Sequence, residues 1–285
     1  MRNLSPPQLV SEEVYRRIKK NARDEDKKRR LNIMENLIFS RYSIYESNTA
    51  TLELIEDSNI IDKEDALALE SCYTRNKDGY LEGEVVARII ALQSPQHKNS
   101  CPYCGMDKPR TIDHYLPKSV YPEFAIFPPN LIPCCGHCNG KKGVKWLLQG
   151  KRRFLNFYYD DIPDEKFLHA SLLFDEDKNK QVPKVLFELK NNKQINEEMF
   201  YLISNHFKEL DLLKELSEFV EEELSNIYDE IRHNTHLSQE NHIENLTRKK
   251  DSCIRKYGMN YWRSALYETI IDSDELFDRI YNHPL

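Results

Sequence analysis

The sequence predicts a mainly α-helical protein with an irregular, cysteine-rich centre and a short β-hairpin after it. Three observations carry this. Apolar residues recur at three- and four-residue spacing in the first hundred residues and again after residue 196. Five of the seven cysteines lie within 38 residues, from Cys101 to Cys138, in a stretch that also holds Gly and Pro. Residues 169–174 and 184–189 read as two strands, with the polar residues 175–181 connecting them.

Taken in order, Ser11-Glu12-Glu13 opens a first helix that continues through Arg16, Arg17, Lys19, Lys20 and Arg23. A second is expected over 27–46, with Leu31, Met34, Leu37, Ile38, Arg41, Ile44 and Tyr45 along one side. The basic run 16–30 is interrupted by Asp24, Glu25 and Asp26 and reads as a solvated helix face in preference to a nucleic-acid contact. Shorter helices are expected over 63–73 and 84–92. Asn76-Lys77-Asp78-Gly79 imitates a calcium loop, but Thr74 and Val85 stand where its end carboxylates belong, so it reads as a turn. Beyond residue 196 the chain is helical again. Leu213, Leu216, Val220, Leu224, Ile227 and Ile231 recur at spacings of 3, 4, 4, 3 and 4, an apolar stripe on one long acidic helix. Another helix follows Ser238 and stops at Gly258, and a last one carries Trp262, Leu266, Tyr267 and Ile270.

Composition excludes several classes of function. The 285 residues are ample for a hydrophobic core, and mean hydropathy is −0.70. No apolar run approaches the roughly 18–20 residues of a membrane-spanning helix. The opening Met1-Arg2-Asn3-Leu4-Ser5-Pro6-Pro7 lacks the apolar core of a signal peptide, so a cytoplasmic chain with no membrane partner is expected. The net charge of −6 excludes a bulk-basic nucleic-acid binder but not a local basic surface. Residues 101–153 carry nine Lys and Arg against three Asp and Glu, whereas residues 154–230 carry eight against nineteen. An odd cysteine count without a secretory signal points to metal binding in a reducing compartment, not to a disulfide framework.

The chemistry-bearing segment is CPYCGMDKPRTIDHYLPKSVYPEFAIFPPNLIPCCGHCNGKKG, residues 101–143. Cys101-x-x-Cys104 is followed after 30 residues by Cys135-x-x-Cys138, with Cys134-x-x-His137 as a rival register. Two such knuckles bring four ligands to one ion and make a closed tetrahedral structural zinc site, Zn²⁺ being the expected ion. Between them, Thr111-Ile112 suggests a short strand leading into Asp113-His114, with Pro117 ending it. Adjacent strand residues point to opposite faces unless the strand bends or ends there. Asn130 precedes the second knuckle, and Asn139, Lys141 and Lys142 follow it.

This segment resembles the HNH endonucleases, the ββα-metal or His-Me finger family, in a variant written HNN. The resemblance implies His114 as general base, Asp113 and Asn139 as ligands of one catalytic Mg²⁺ or Mn²⁺, and Asn130 as the residue holding the loop that orients the base. It selects Cys135 and Cys138 over the rival register, because Asn139 and Lys142 then fall in place, and leaves Cys134 as a packing residue. It covers about 43 residues. The organisation of the whole chain, including Gly258-Met259-Asn260-Tyr261-Trp262, is similar to HNH proteins of bacterial anti-phage defence such as those of Septu-type systems, which implies an ATPase or other defence-system partner. Neutral imidazole suits water deprotonation near neutral pH. Lys118, Lys141, Lys142 and His137 are then expected on flanking phosphates.

The resulting expectation is a mainly α chain with an embedded ββα-metal finger and a hairpin, organised as residues 1–95, 96–150 and 151–285. Its function would be phosphodiester hydrolysis of nucleic acid, DNA foremost. A catalytically inert zinc module binding nucleic acid or protein is the alternative, and the retained Asp113 and His114 weigh against it. The acidic residues 196–285 are expected to serve self-association or partner docking, because their charge repels phosphate backbones.

Overall fold

The computed structural model describes residues 1–74, 76, 79–176 and 182–282. The protein is mainly helical with small antiparallel strand pairs. It divides into two compact units, Asn3–Asp161 and Ile162–Leu285, the latter together with Met1–Arg2. Residues 1–95 and 96–150, read as separate regions in the sequence, lie almost wholly in the first unit. Among the described residues no helix is long and apolar enough to cross a membrane.

The first unit opens with α1 (Ser11–Asn21) and α2 (Glu25–Ser47), a helical hairpin. Asp24 caps α2 by accepting from Lys27 N at 2.6 Å. The buried line of α2 is Leu31, Met34, Ile38, Arg41, Tyr42 and Tyr45. Leu37 and Ile44, expected on that line, are exposed. Arg41, expected on the line, is buried, and Tyr42, not expected there, joins it, because the packing surface below is aromatic and partly polar. Next come α3 (Lys63–Glu70), shorter than expected by three residues, then a π-turn over Leu81–Val86 running into α4 (Ala87–Leu92). In the expected turn at 76–79, Gly79 N donates to Asn76 O at 2.8 Å, and Lys77 and Asp78 lie outside the described residues.

The centre of this unit is β1 (Thr111–His114) paired antiparallel with β2 (Leu131–Cys134), followed by α5 (Gly136–Lys142). The register sets Thr111 opposite Cys134, Asp113 opposite Ile132 and His114 opposite Leu131. A two-residue pair, β3 (Leu147–Leu148) with β4 (Lys151–Arg152), follows. The connection from β1 to β2 has only single 3-10 turns, yet every residue from Tyr121 to Cys135 is buried. Tyr42 stacks on Phe127 with centroids 4.3 Å apart, and Tyr45 meets Phe124 and Phe127 edge-on. Arg41 pairs with Glu123 at 2.8 Å, both essentially unexposed, and Ser58 Oγ donates to the other Glu123 oxygen at 2.6 Å. A buried pair of this kind contributes little over an apolar isostere, but losing one partner costs roughly 3–5 kcal/mol.

The second unit begins with β5 (Leu168–Leu173) and β6 (Lys184–Leu189), an antiparallel pair. Residues 177–181 of its expected connection lie outside the described residues. Six helices follow: α6 (Glu197–Glu209), α7 (Leu212–Phe219), α8 (Glu221–His233), α9 (Gln239–Tyr257), α10 (Trp262–Ile271) and α11 (Asp274–Asn282). Asn196 and Ser238 cap α6 and α9, and Gly258 ends α9 at φ 88°. The expected single long helix is two, broken at Val220. Glu221, Glu222 and Glu223 then occupy the first turn of α8, where a helix N-terminus favours negative charge. The buried line runs through Leu212, not Leu213, to Leu216, Val220, Leu224, Ile227 and Ile231. Asn260 is buried and Oδ1 accepts from Phe167 N and Leu168 N, while Nδ2 donates to Glu165 O. It thereby ties the α9–α10 connection to the entry of β5.

Candidate functional site

The four knuckle cysteines come together. Cys101, Cys104, Cys135 and Cys138 are all buried, with their sulfurs within 4.8 Å of one another. A tetrahedral ion with Zn–S of about 2.3 Å requires sulfurs about 3.8 Å apart, and Cys104 Sγ to Cys135 Sγ is 3.9 Å. The donor set, its burial and its spacing fit a structural zinc ion. Tight turns supply further polarity: Gly105 N donates to Cys101 O with Gly105 at φ 73°, Cys135 N to Cys101 Sγ, and Cys138 N to Cys135 Sγ. The Cys135 thiol is held well below its ordinary range by hydrogen bonds from the other three. Cys134 stands outside the cluster. It lies on β2 with Sγ 3.5 Å from Thr111 Oγ1, and burial keeps its thiol protonated.

Asp113 and His114 end β1 and face opposite ways, as strand alternation requires. The buried Asp113 carboxylate accepts from Tyr103 OH at 2.7 Å on Oδ2 and from Lys142 Nζ at 3.0 Å on Oδ1. Lys142 Nζ also donates to His114 O at 2.8 Å. Lys142 is fully buried, so it does not face a flanking phosphate as expected. It sits one turn beyond Asn139 on α5, and that face of the helix packs on β1. Asn139 Nδ2 donates to Thr111 Oγ1 and Ile112 O, each at 3.2 Å. No hydrogen bond joins Asp113 to Asn139 among the described residues.

On the other face, the His114 ring lies 2.8 Å through Nε2 from Ala125 O, with Tyr73 edge-on at 4.2 Å between centroids. A carbonyl only accepts, so this bond places the proton on Nε2 and leaves Nδ1 as acceptor. Desolvation lowers the His114 pKa to about 4, against smaller opposing effects of Ala125 O and Asp113, so the ring is neutral near pH 7. Ala125 belongs to the buried connection, which Asn130 closes from inside. Asn130 Oδ1 accepts from Leu116 N at 2.7 Å, and Nδ2 donates to Leu116 O and Phe124 O.

Of the expected phosphate contacts, Lys118 lies 3.7 Å from Glu70, and His137 and Lys141 lie on α5, exposed and half-buried respectively. Sequence reasoning missed Tyr103, Tyr73 and the Ala125 carbonyl. The signal for Tyr103 was available, since an aromatic inside a two-residue knuckle has little room except against the strand beside it.

Two relatives frame this geometry. The chain is 40% identical to protein ea31 of Escherichia phage lambda over 62 residues, 21% of each chain. It is 32% identical to Septu protein PtuB of Bacillus thuringiensis over 92 residues, 30% of this chain and 34% of that protein. No family model matches the chain. No solved structure matches it either. The matches span between a fifth and a third of the length of these curated relatives.

Proposed function

We propose that the chain is a metal-dependent endonuclease of the HNH type, hydrolysing phosphodiester bonds of nucleic acid, DNA foremost, as an effector of anti-phage defence. One observation carries the reading: a neutral histidine at a strand end, its Nε2 engaged by a carbonyl and its Nδ1 left as acceptor, beside a buried aspartate. The four-cysteine cluster holds together the elements on which both stand. Asn130 keeps the Ala125 carbonyl in place, and Ala125 in turn sets the ring of His114. With Nδ1 accepting, His114 takes a proton from water attacking phosphorus.

Asp113 and Asn139 would hold one Mg²⁺ or Mn²⁺. Asn139 Oδ1 accepts no hydrogen bond, and each Asp113 oxygen keeps a lone pair beyond its bond to Tyr103 or Lys142. When bound, such an ion supplies charge stabilisation at the scissile phosphate and the leaving oxygen. The similarity to Septu protein PtuB supports a place in a defence system with a partner there. An ATPase as that partner is what the family resemblance implies, and the acidic charge of residues 196–285 makes them the assembly region in this reading.

A second reading, an inert zinc module, is favoured by the Lys142 ammonium, which already neutralises Asp113. Incubation of wild-type and His114→Ala protein with plasmid, linear duplex, single-stranded DNA and RNA, in Mg²⁺ and in EDTA, separates the two. The nuclease reading expects Mg²⁺-dependent cleavage reduced about 10²–10⁴-fold in the variant, with zinc content unchanged and the melting temperature lowered only as far as the lost bond to Ala125 O accounts for. A folded variant that cuts at the wild-type rate removes His114 as the base.

A further inference from the structure

The basic run 16–30 carries nine Lys and Arg against three Asp and Glu, and the structure shows how that charge is distributed. Part of it is neutralised in place. Arg16 and Lys19 share Glu35, Arg29 and Arg30 share Asp26, and Arg30 also meets Asp62 and Asp65. The rest is not. Among the described residues no carboxylate lies within ion-pair distance of Arg17, Lys20 or Arg23, all three of them exposed, and Lys28 has only a loose contact of 3.9 Å with Glu25. Lys20, Arg23 and Lys28 stand about the corner where α1 hands over to α2, and Arg17 lies one turn back on α1 with its guanidinium 5.8 Å from the Tyr80 ring centroid. A surface cavity of about 440 Å³ opens there, lined by Lys19, Lys20, Glu25, Lys28, Arg29 and Asn32.

The corner also neighbours the histidine pocket. Lys27, on the first turns of α2, stands close enough to Cys72 for its charge to act on that buried thiol, whose sulfur hydrogen-bonds to Ala68 O. The next residue, Tyr73, packs its ring against His114. The helix that carries the basic corner thus lies near the segment whose Tyr73 packs on the proposed base. Glu70, the last residue of α3, lies 3.7 Å from Lys118 of the connection after β1.

We propose that the α1–α2 corner is a second phosphate-contacting surface, on which Arg17, Lys20, Arg23 and Lys28 grip the backbone of the nucleic acid that reaches His114. The contact is electrostatic and reads no bases, since flexible exposed cations neutralise phosphates without fixing a donor pattern. The solvated face expected from the sequence is here a working surface, because Lys20 and Lys28 line one concavity and Arg17 and Arg23 add exposed charge on the same segment. This rests on the chain acting on nucleic acid, and not on His114 being the base.

The test is binding, measured in EDTA by fluorescence anisotropy on full-length protein. Probes are a labelled duplex DNA of about 30 base pairs, single-stranded DNA and RNA, in salt from about 50 to 200 mM. Each phosphate contact contributes about 0.9 to the slope of log affinity against log salt for duplex DNA. The variant Arg17→Gln/Lys20→Gln/Arg23→Gln should bind the tightest of these probes at least about ten-fold more weakly, with a slope shallower by about 2–3. Charge reversal at Lys20→Glu/Arg23→Glu should act in the same direction. Arg29→Gln, whose charge already rests on Asp26, should stay within about two-fold of wild type. Unchanged melting temperatures keep the comparison clean, as all these positions are exposed. A triple variant with wild-type affinity and slope overturns the proposal, even if the protein cuts DNA. So does a wild-type protein that binds none of the probes. Salt-sensitive binding that the triple variant loses, in a protein without cleavage, upholds this surface while the nuclease reading fails.

Discussion

The two units differ in how far they bury ion pairs, although each also holds backbone with a buried amide, Asn130 in one and Asn260 in the other. In the unit Asn3–Asp161, charged and amide side chains go inside and hold irregular backbone: Arg41 with Glu123, Lys142 with Asp113, and Asn130 across its loop. In the second unit the helices bury apolar stripes, and the acidic residues stay largely on the surface. Overall charge follows the same division. Asn3–Asp161 carries 24 Lys and Arg against 22 Asp and Glu, and the remainder carries 17 against 25. An amphipathic helix supports itself through periodicity, whereas a short strand pair at a chemical site needs ions and buried hydrogen bonds to hold its shape.

That contrast can be broken at its strongest point first. Cys138→Ser removes one sulfur of the cluster, and structural zinc sites supply about 10–16 kcal/mol of coupled binding and folding free energy. The variant should lose its zinc by elemental analysis and melt the first unit, with the helical circular dichroism of the second unit retained. A single cooperative loss of all helix signal would show that the two units do not differ in this way.

A smaller effect is expected at Glu123→Gln. It leaves Arg41 buried without its counter-ion and should cost about 3–5 kcal/mol in urea unfolding. Because Glu123 stands two residues before Ala125, cleavage should fall further than the loss of folded protein explains. A Glu123→Gln protein as stable as wild type would mean the pair is dispensable.

The smallest change tests the second unit. Asn260→Ala orphans the Phe167 and Leu168 amides and should cost about 1–3 kcal/mol. Zinc content and nucleic-acid binding should stay at wild-type levels. Loss of binding in a folded Asn260→Ala protein would count against assigning substrate contact to the first unit alone.

Much of this was legible in the sequence where a local rule operates. Asn196 and Ser238 cap helices, Gly258 ends one, and the knuckle spacing brings together the four cysteines found clustered. What escaped notice depends on tertiary contact. The helix break at Val220 leaves the apolar spacing intact on both sides, so periodicity passes straight through it. Lys142 stands beside Lys141 and looks equally solvated, yet one turn of α5 sends it beneath Asp113. Leu37 and Ile44 read as core by type, but Tyr42 takes the interior beside the expected Arg41, because Phe127 and Glu123 lie beneath. The motif Gly258-Met259-Asn260-Tyr261-Trp262 bore on family resemblance in the sequence, and in the structure Asn260 anchors a strand.

The connection from β1 to β2 has a consequence for descent. Loops ordinarily absorb insertions and deletions, because their backbone faces water. Here the run from Tyr121 to Cys135 is buried throughout, and Asn130 spans from Leu116 to Phe124. One residue more or fewer would shift Ala125 off His114 and leave buried amides unpaired. Within this connection Lys118, Ser119 and Val120 reach the surface, so a change of length is tolerated best there. The rest is fixed in count as firmly as a strand in mid-sheet.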